Sequence, residues 1–108
     1  MLANNNKPAD YLPLVYRNQQ VRVHKHSVTN KIYFVLADIC KVLHITNPSY
    51  ISRKISSQNK CKHRITNTDS NNPILWINYE GLVQLFDTLS NNLGYGDFWA
   101  WCRTVTKQ

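Results

Sequence analysis

The hydrophobic pattern of this 108-residue chain changes its period at Ala37. Before that point Val21 and Val23 alternate with polar residues, which is the period of a half-buried β-strand. After it Ile39 and Leu43 stand four residues apart, which is the period of one face of an α-helix. A change from strand to helix within one short segment favours folds in which a small sheet packs against helices.

Strands and helices are predicted in an order that does not alternate regularly. Strands are predicted at residues 14–16, 21–23, 31–36, 63–66 and 74–77, where β-branched and aromatic residues are frequent. Helices are predicted at 37–44, from 48 to about 55, at 79–90 and at 98–107. Asn47, Asn78 and Asp97 are expected to cap the last three, and Pro48 suits a first helical position. The predicted fold class is α+β, a small antiparallel sheet packed with about four short helices, including a helix-turn-helix-like pair.

The length of the chain suits one domain, because a chain of this size buries roughly two thirds of its unfolded surface. Residues 1–10 are polar and rich in asparagine. They are expected to form a flexible N-terminal segment, and residues 11–108 a single domain. No run resembles a signal peptide or approaches the roughly 20 apolar residues that span a bilayer, so an intracellular protein is expected.

Cysteine spacing argues against a disulfide framework. The three cysteines are far apart and form no C-x-x-C pair. Cys40 and Cys102 fall within apolar patterns and are expected to be reduced core residues.

Positive charge is the strongest functional signal in the composition. The chain carries 13 Lys and Arg against 6 Asp and Glu, a net charge of +7. Six of the basic residues lie between Ile39 and Thr68, a segment without a carboxylate. Such a segment favours a polyanionic partner, nucleic acid first and an anionic membrane surface second. The competing interpretation is a charged run that only faces solvent.

Signals for an enzyme, a metal or a cofactor are weak. The sequence has no P-loop, nucleophile elbow or zinc-protease motif, and its six acids are scattered. His24 with His26, and Cys61 with His63, are spaced too closely for common zinc sites. No catalytic activity, metal or cofactor is therefore expected, and a nuclease ranks behind the binding functions.

The three tryptophans offer a base-stacking alternative. Trp76 lies in a predicted strand and Trp101 on the apolar stripe of the last helix, so core packing is expected for both. Trp99 lies off that stripe and is expected either to be exposed or to cover a neighbouring helix.

Four segments in order resemble the BRO-N domain, the amino-terminal domain of baculovirus repeated-ORF proteins and of many phage antirepressors. They are VRV (21–23), IYFVLADICKVLHITNP (32–48), INYEGLVQLF (77–86) and FWAWC (98–102). The chain departs from the family pattern at three places. Tyr33 replaces a common Trp, His44 replaces the Gly that usually ends the helix, and Glu80 stands one place later than the family's Glu.

The resemblance implies a DNA-binding domain, often in viral or phage gene control. The expected partner is double-stranded DNA, with single-stranded DNA as an alternative, and no membrane partner is expected. Assembly into a homodimer is also compatible with the sequence. The alternative function is a protein-interaction module, such as an antirepressor that binds a repressor or host factor. The implied location is the host nucleus or cytoplasm for a eukaryotic virus, or the bacterial cytoplasm for a phage.

The residues predicted to bind DNA lie in and after the second helix of the pair, the element that enters the major groove in helix-turn-helix proteins. Arg53 and Lys54 are expected to reach base edges. The loop after the helix is expected to grip phosphates through Lys60, Lys62 and Arg64. The candidate base readers are Asn47, Ser49, Ser52 and Gln58. The alternative DNA surface is the hairpin that carries Arg17, Arg22 and Lys25.

Overall fold

Five strands and four α-helices make up the part of the chain that the computed structural model describes, residues 12–63, 73–89 and 95–107. The strands are β1 (Leu12–Tyr16), β2 (Gln19–Lys25), β3 (Ile32–Val35), β4 (Lys60–His63) and β5 (Ile74–Ile77). The helices are α1 (Leu36–Val42), α2 (Pro48–Arg53), α3 (Tyr79–Thr88) and α4 (Gly96–Thr106), with a 3-10 turn at Ser57–Asn59. None of these helices is long and apolar enough to span a bilayer. The predicted α+β class is confirmed, and the segment 1–10 lies outside the described residues.

The strands of the sheet are antiparallel and lie in the order β1-β2-β3-β5-β4. β1 and β2 are joined by a tight turn in which Arg17 and Asn18 have φ values of 48° and 68°. Two successive positive φ values are typical of a type I′ turn, whose twist matches that of a hairpin. The strands predicted at 14–16 and 21–23 therefore form a hairpin, and Arg17 and Asn18 are its two-residue connection because β2 begins at Gln19.

One face of the sheet is buried against the helices. Val21 and Val23 of β2, Phe34 of β3 and Ile77 of β5 point to this face and are at most 1 % exposed. They belong to one apolar cluster with residues of all four helices, such as Leu82 of α3. The period of two in the strands and the helical period in α1 therefore bury the same core, as the hydrophobic pattern predicts.

The three tryptophans lie in different surroundings. Trp76 is 2 % exposed and packs with Val35 in a smaller cluster. Trp101 is partly buried against the core, with its ring centroid 5.5 Å from that of Tyr16. Trp99 stacks on Phe86 of α3 with 4.6 Å between ring centroids. Core packing is confirmed for Trp76 and, in part, for Trp101, while Trp99 covers a neighbouring helix.

Asp38, in the first turn of α1, stabilises the junction between β3 and α1. Its carboxylate accepts the backbone N–H of Arg22 and two N–H groups of the Arg22 guanidinium, each at 2.9 Å. The ladder between β2 and β3 stops at Val23, so the carboxylate satisfies a backbone donor that the ladder leaves. The Asp38 side chain is 9 % exposed, and this charge-assisted pair joins β2 to α1 from a largely buried position.

Residues 43–47 connect α1 to α2 through a backbone cap. His44 has a φ of 58°, in the left-handed region. The N–H of His44 donates to the carbonyl oxygen of Lys41 at 3.2 Å, and the N–H of Ile45 donates to that of Cys40 at 2.9 Å. These are the two bonds of a Schellman motif, which usually has Gly in the left-handed position. His44 therefore takes the left-handed position of this motif, at the place where the family pattern has Gly.

The predicted caps of α2 and α3 are confirmed. Asn47 accepts the N–H of Tyr50 at 3.2 Å, and Pro48 occupies the first position of α2. Asn78 accepts the N–H of Gly81 at 2.9 Å at the start of α3. Each side-chain oxygen satisfies one of the free N–H groups at a helix start.

The predicted cap of α4 is wrong. The helix begins at Gly96 after Tyr95, which forms no side-chain cap, so Asp97 lies inside the first turn. The Asp97 carboxylate instead accepts a hydrogen bond from the Arg17 guanidinium at 2.9 Å. A contact between residues so far apart in the chain leaves no local signal in the sequence.

The strand predicted at 63–66 starts earlier in the structure. β4 begins at Lys60, and its register pairs Lys60 with Ile77 and Lys62 with Leu75. Lysine is depleted in β-strands, so this segment gives no strand signal in the sequence. Lysine can still occupy a strand, because its apolar stem packs while its charged head stays in solvent. The segment predicted to be a basic loop is therefore a basic strand up to His63, and residues 64–66 lie outside the described residues.

All three cysteines are free thiols, with Cys40 and Cys102 buried and Cys61 exposed. Burial raises the pKa of the Cys40 thiol to about 11 and also raises the pKa of Cys102. Thiols with raised pKa values stay protonated and unreactive at neutral pH. The expectation of reduced core cysteines at these two positions is confirmed.

We expect Asp38→Asn to lower the free energy of unfolding by about 2 to 4 kcal/mol, because it removes the charge that two guanidinium donors and one backbone donor share. Asp97→Asn is the matched control. Asp97 pairs with Arg17, and the two side chains are 79 % and 69 % exposed, respectively. Loss of this exposed ion pair is therefore expected to cost less than about 1 kcal/mol. Urea unfolding followed by circular dichroism measures both, and equal losses would contradict a structural role for Asp38.

Candidate nucleic-acid interface

An open groove of about 540 Å³ lies where β3 ends and α1 begins. The start of α2, one side of β4 and the first residues of β5 form its other walls. Arg22, Arg53 and Lys62 contribute three cations to its lining, and Ser49 and Ser52 contribute two hydroxyls. No carboxylate occurs among its described lining residues. We call this surface the basic groove.

Four of the predicted DNA-binding residues meet in the basic groove. Ser49, Ser52 and Arg53 are three and four positions apart, so they share one face of α2. Lys62 reaches the groove from β4. Arg53 and Lys62 are exposed, and neither forms an ion pair with a described residue. Their charged groups are therefore available to an anionic partner.

Lys60 has a structural role that the charge pattern did not reveal. Its Nζ donates to the carbonyl oxygen of Ser52 at 2.8 Å and to the Ser52 hydroxyl at 3.4 Å. A cation beside the last carbonyl groups of a helix interacts favourably with the helix dipole. Lys60 therefore ties β4 to the end of α2, and its ammonium is less available to phosphates than that of Lys62.

Asn47 and Lys54 were also predicted to bind DNA but do not line the basic groove. The amide oxygen of Asn47 caps α2. The Nζ of Lys54 lies 5.2 Å from the ring centroid of Tyr50, an exposed cation–π contact. Arg64 lies outside the described residues. The structure thus places Lys54 and Arg53 on different sides of the end of α2.

A polar network from α3 fixes the segment between α2 and β4. The side-chain oxygen of Gln84 accepts the N–H of Ser56 at 2.9 Å and an amide N–H of Asn59 at 3.0 Å. The Gln84 amide nitrogen donates to the Ser56 hydroxyl at 2.8 Å. Gly81 allows the close approach, because a Cβ there would lie 3.0 Å from the carbonyl oxygen of Asn59. The segment that joins α2 to β4, the two elements that carry the basic side chains, is thereby fixed against α3.

Arg22 lines the basic groove, whereas it was predicted from the sequence to lie with Arg17 and Lys25 on the alternative hairpin surface. The alternative hairpin surface is divided in the structure, since Arg22 lines the basic groove while Arg17 pairs with Asp97. The alternation of β2 indicates that Arg22 points away from Val21 and Val23. Two hydrogen bonds to Asp38 fix the Arg22 side chain at the groove. Because the two residues are distant in the sequence, no local pattern predicts this contact.

Among the residues that the structure describes, no group of three or more potential metal-ligating side chains occurs. The Nδ1 of His26 instead accepts the N–H groups of Val28 and Thr29, each at 3.2 Å. His26 therefore stabilises the turn between β2 and β3.

The family model described as "BRO family, N-terminal domain" matches residues 20–92, which is more than half of the chain. The chain belongs to the BRO family. Every residue of the basic groove lies within the matched part of this BRO-N domain. Searches of curated proteins and of solved structures found no match.

We expect Lys60→Ala to lower the free energy of unfolding by about 1 to 2 kcal/mol, because it removes a charge-assisted hydrogen bond at the end of α2. Lys62→Ala, two residues along the same strand, is expected to change stability by less than about 0.5 kcal/mol. Chemical denaturation of both variants provides the comparison. Equal stability of the two variants would show that the Lys60 bond contributes nothing to the fold.

Proposed function

We propose that this BRO-N domain binds double-stranded DNA through the basic groove. The observation that carries the proposal is the convergence of Arg53 of α2 and Lys62 of β4, both exposed and without a described ion pair, beside the Asp38-paired Arg22 in a groove whose described lining contains no carboxylate. Positive side chains beside a duplex release condensed counterions, which favours binding without regard to sequence. The family supports the proposal, since the resemblance implies DNA binding in viral or phage gene control.

The groove residues divide into two roles. Lys62 on β4 is proposed to contact phosphates as a cation without an ion pair among the described residues. Arg22 on β2, whose charge Asp38 offsets, is proposed to add a guanidinium hydrogen-bond donor to the same phosphates. Arg53 lies on α2 beside Ser49 and Ser52, and an exposed helix face with donors and acceptors suits base edges in the major groove. Phosphate contacts fix the position of the protein on the duplex, while base contacts carry sequence preference.

The proposal describes a binding module without catalytic activity or a cofactor. It acts inside a cell, in the host nucleus or cytoplasm if the source is a eukaryotic virus and in the bacterial cytoplasm if it is a phage. Regulation of genes is the role that DNA binding of this kind would serve.

A protein-interaction module is the second candidate function, and a different surface favours it. An open groove of about 290 Å³ between α3 and α4 is lined by apolar side chains that include Phe86, Leu89 and Trp99. Val83 at its rim is 36 % exposed. The partner of this apolar surface would be a repressor, a host factor or a second copy of the domain. Binding through this surface would depend little on salt, because the contact is apolar.

Salt dependence separates the two candidates. With about two to three phosphate contacts at the basic groove, the logarithm of the DNA association constant is expected to fall with the logarithm of salt concentration with a slope of roughly −2 to −3. Fluorescence polarisation of a labelled random duplex across a salt series measures the slope, and a single-stranded probe of the same length tests the alternative substrate. Folded protein that leaves the polarisation unchanged at low salt would exclude DNA binding.

Single substitutions test the roles of the groove residues. Lys62→Gln is expected to weaken binding to all sequences and to reduce the salt slope by about one. Arg53→Gln is expected to weaken binding and also to alter the sequences selected from a random pool, at about 1 to 3 kcal/mol of discrimination for each lost base contact. Arg17→Gln, which removes a cation remote from the groove, is the control. A larger effect of Arg17→Gln than of Arg53→Gln would move the DNA surface to the β1–β2 hairpin.

A further inference from the structure

A second group of cations lies outside the basic groove. Lys31, Arg103 and Lys107 line an open groove of about 330 Å³ between the β2–β3 turn, the start of α3 and the end of α4. All three are exposed. None of the three forms an ion pair with a described residue. We call this surface the second basic surface.

Separate elements position these three cations. Lys31 follows the β2–β3 turn, which is closed by a hydrogen bond of 2.8 Å from the N–H of His26 to the carbonyl oxygen of Lys31. Arg103 and Lys107 are four positions apart, so they lie on one face at the end of α4. The Arg103 guanidinium lies 5.2 Å from the Trp99 ring centroid, which restricts its position.

Helix stability alone does not explain the arrangement. Arg103 and Lys107 lie near the C-terminal end of α4, where cations interact favourably with the helix dipole. That explanation does not extend to Lys31, which belongs to a different element and reaches the same groove. The lining also contains one carboxylate, that of Glu80, which forms no ion pair with a described residue. The surface therefore has an excess of positive charge that no described carboxylate neutralises.

The two basic surfaces lie at opposite ends of β3. The basic groove includes Val35 and Leu36, where β3 ends, and the second basic surface includes Ile32, where β3 begins. The two ends of a strand point in opposite directions along the sheet. The two surfaces share no described lining residue, so contact with a duplex at one surface does not use the side chains of the other.

We propose that the second basic surface binds the phosphate backbone of a second DNA segment, so that one domain bridges two duplexes. The inference rests on the proposed function for the first contact and adds a second contact to it. The second contact involves phosphates through Lys31, Arg103 and Lys107 and is therefore independent of sequence. Glu80 opposes it, since a carboxylate beside phosphate groups is repelled.

A two-duplex capture assay tests the inference. One biotinylated duplex is held on beads, the protein is bound, and capture of a second, fluorescent duplex is measured. The triple variant Lys31→Gln, Arg103→Gln, Lys107→Gln is expected to reduce capture by at least about fivefold. Its affinity for a single short duplex is expected to stay within about threefold of the unchanged protein. Glu80→Gln is the opposite control and is expected to increase capture.

The outcomes separate the inference from the proposed function. If the unchanged protein binds a single duplex but captures no second one, the bridging inference is overturned and the proposed function stands. If the triple variant still captures the second duplex fully, bridging comes from another surface or from pairing of two domains. Thermal melting checks that the triple variant folds, and Lys31→Gln alone, outside any helix, replaces it if it does not. Absence of binding to one duplex would overturn both.

Discussion

The pairing of Asp38 with Arg22 is the constraint on which the basic groove depends. One carboxylate satisfies a backbone donor of β2 and two donors of the guanidinium, so the start of α1 cannot shift relative to the sheet without losing all three bonds. The same bonds hold the Arg22 side chain at the groove. A residue that closes a junction in the fold therefore also sets the position of a cation proposed to contact DNA.

The helix proposed to meet DNA owes its structure to its surroundings. α2 has six residues, and isolated helices of fewer than roughly 12 residues are marginal in water. Asn47 caps its start, Ile51 anchors it in the core at 2 % exposure, and Lys60 bonds to its last turn. The Gln84 network then fixes the chain that leaves it. Its orientation is a property of the domain as a whole.

Signals that act within a few residues predicted much of this fold. Asn47 and Asn78 were identified as caps because a cap bonds two or three positions ahead, and the strands were identified because alternation is local. The candidate site was predicted less completely. A basic run looks the same whether a lysine faces solvent, as Lys62 does, or bonds to a helix end, as Lys60 does. Contacts such as these and the place of Arg22 arise only when distant segments meet.

The position of β4 gives its lysines a second consequence. β4 lies at one end of the described sheet, and the outer edge of such a strand is a template on which another chain can add and aggregate. A strand of only four residues that carries Lys60 and Lys62 is poorly suited to such growth, since like charges on two copies repel. Polyanions neutralise those charges. The domain is therefore most exposed to self-association through this edge when phosphates cover its lysines.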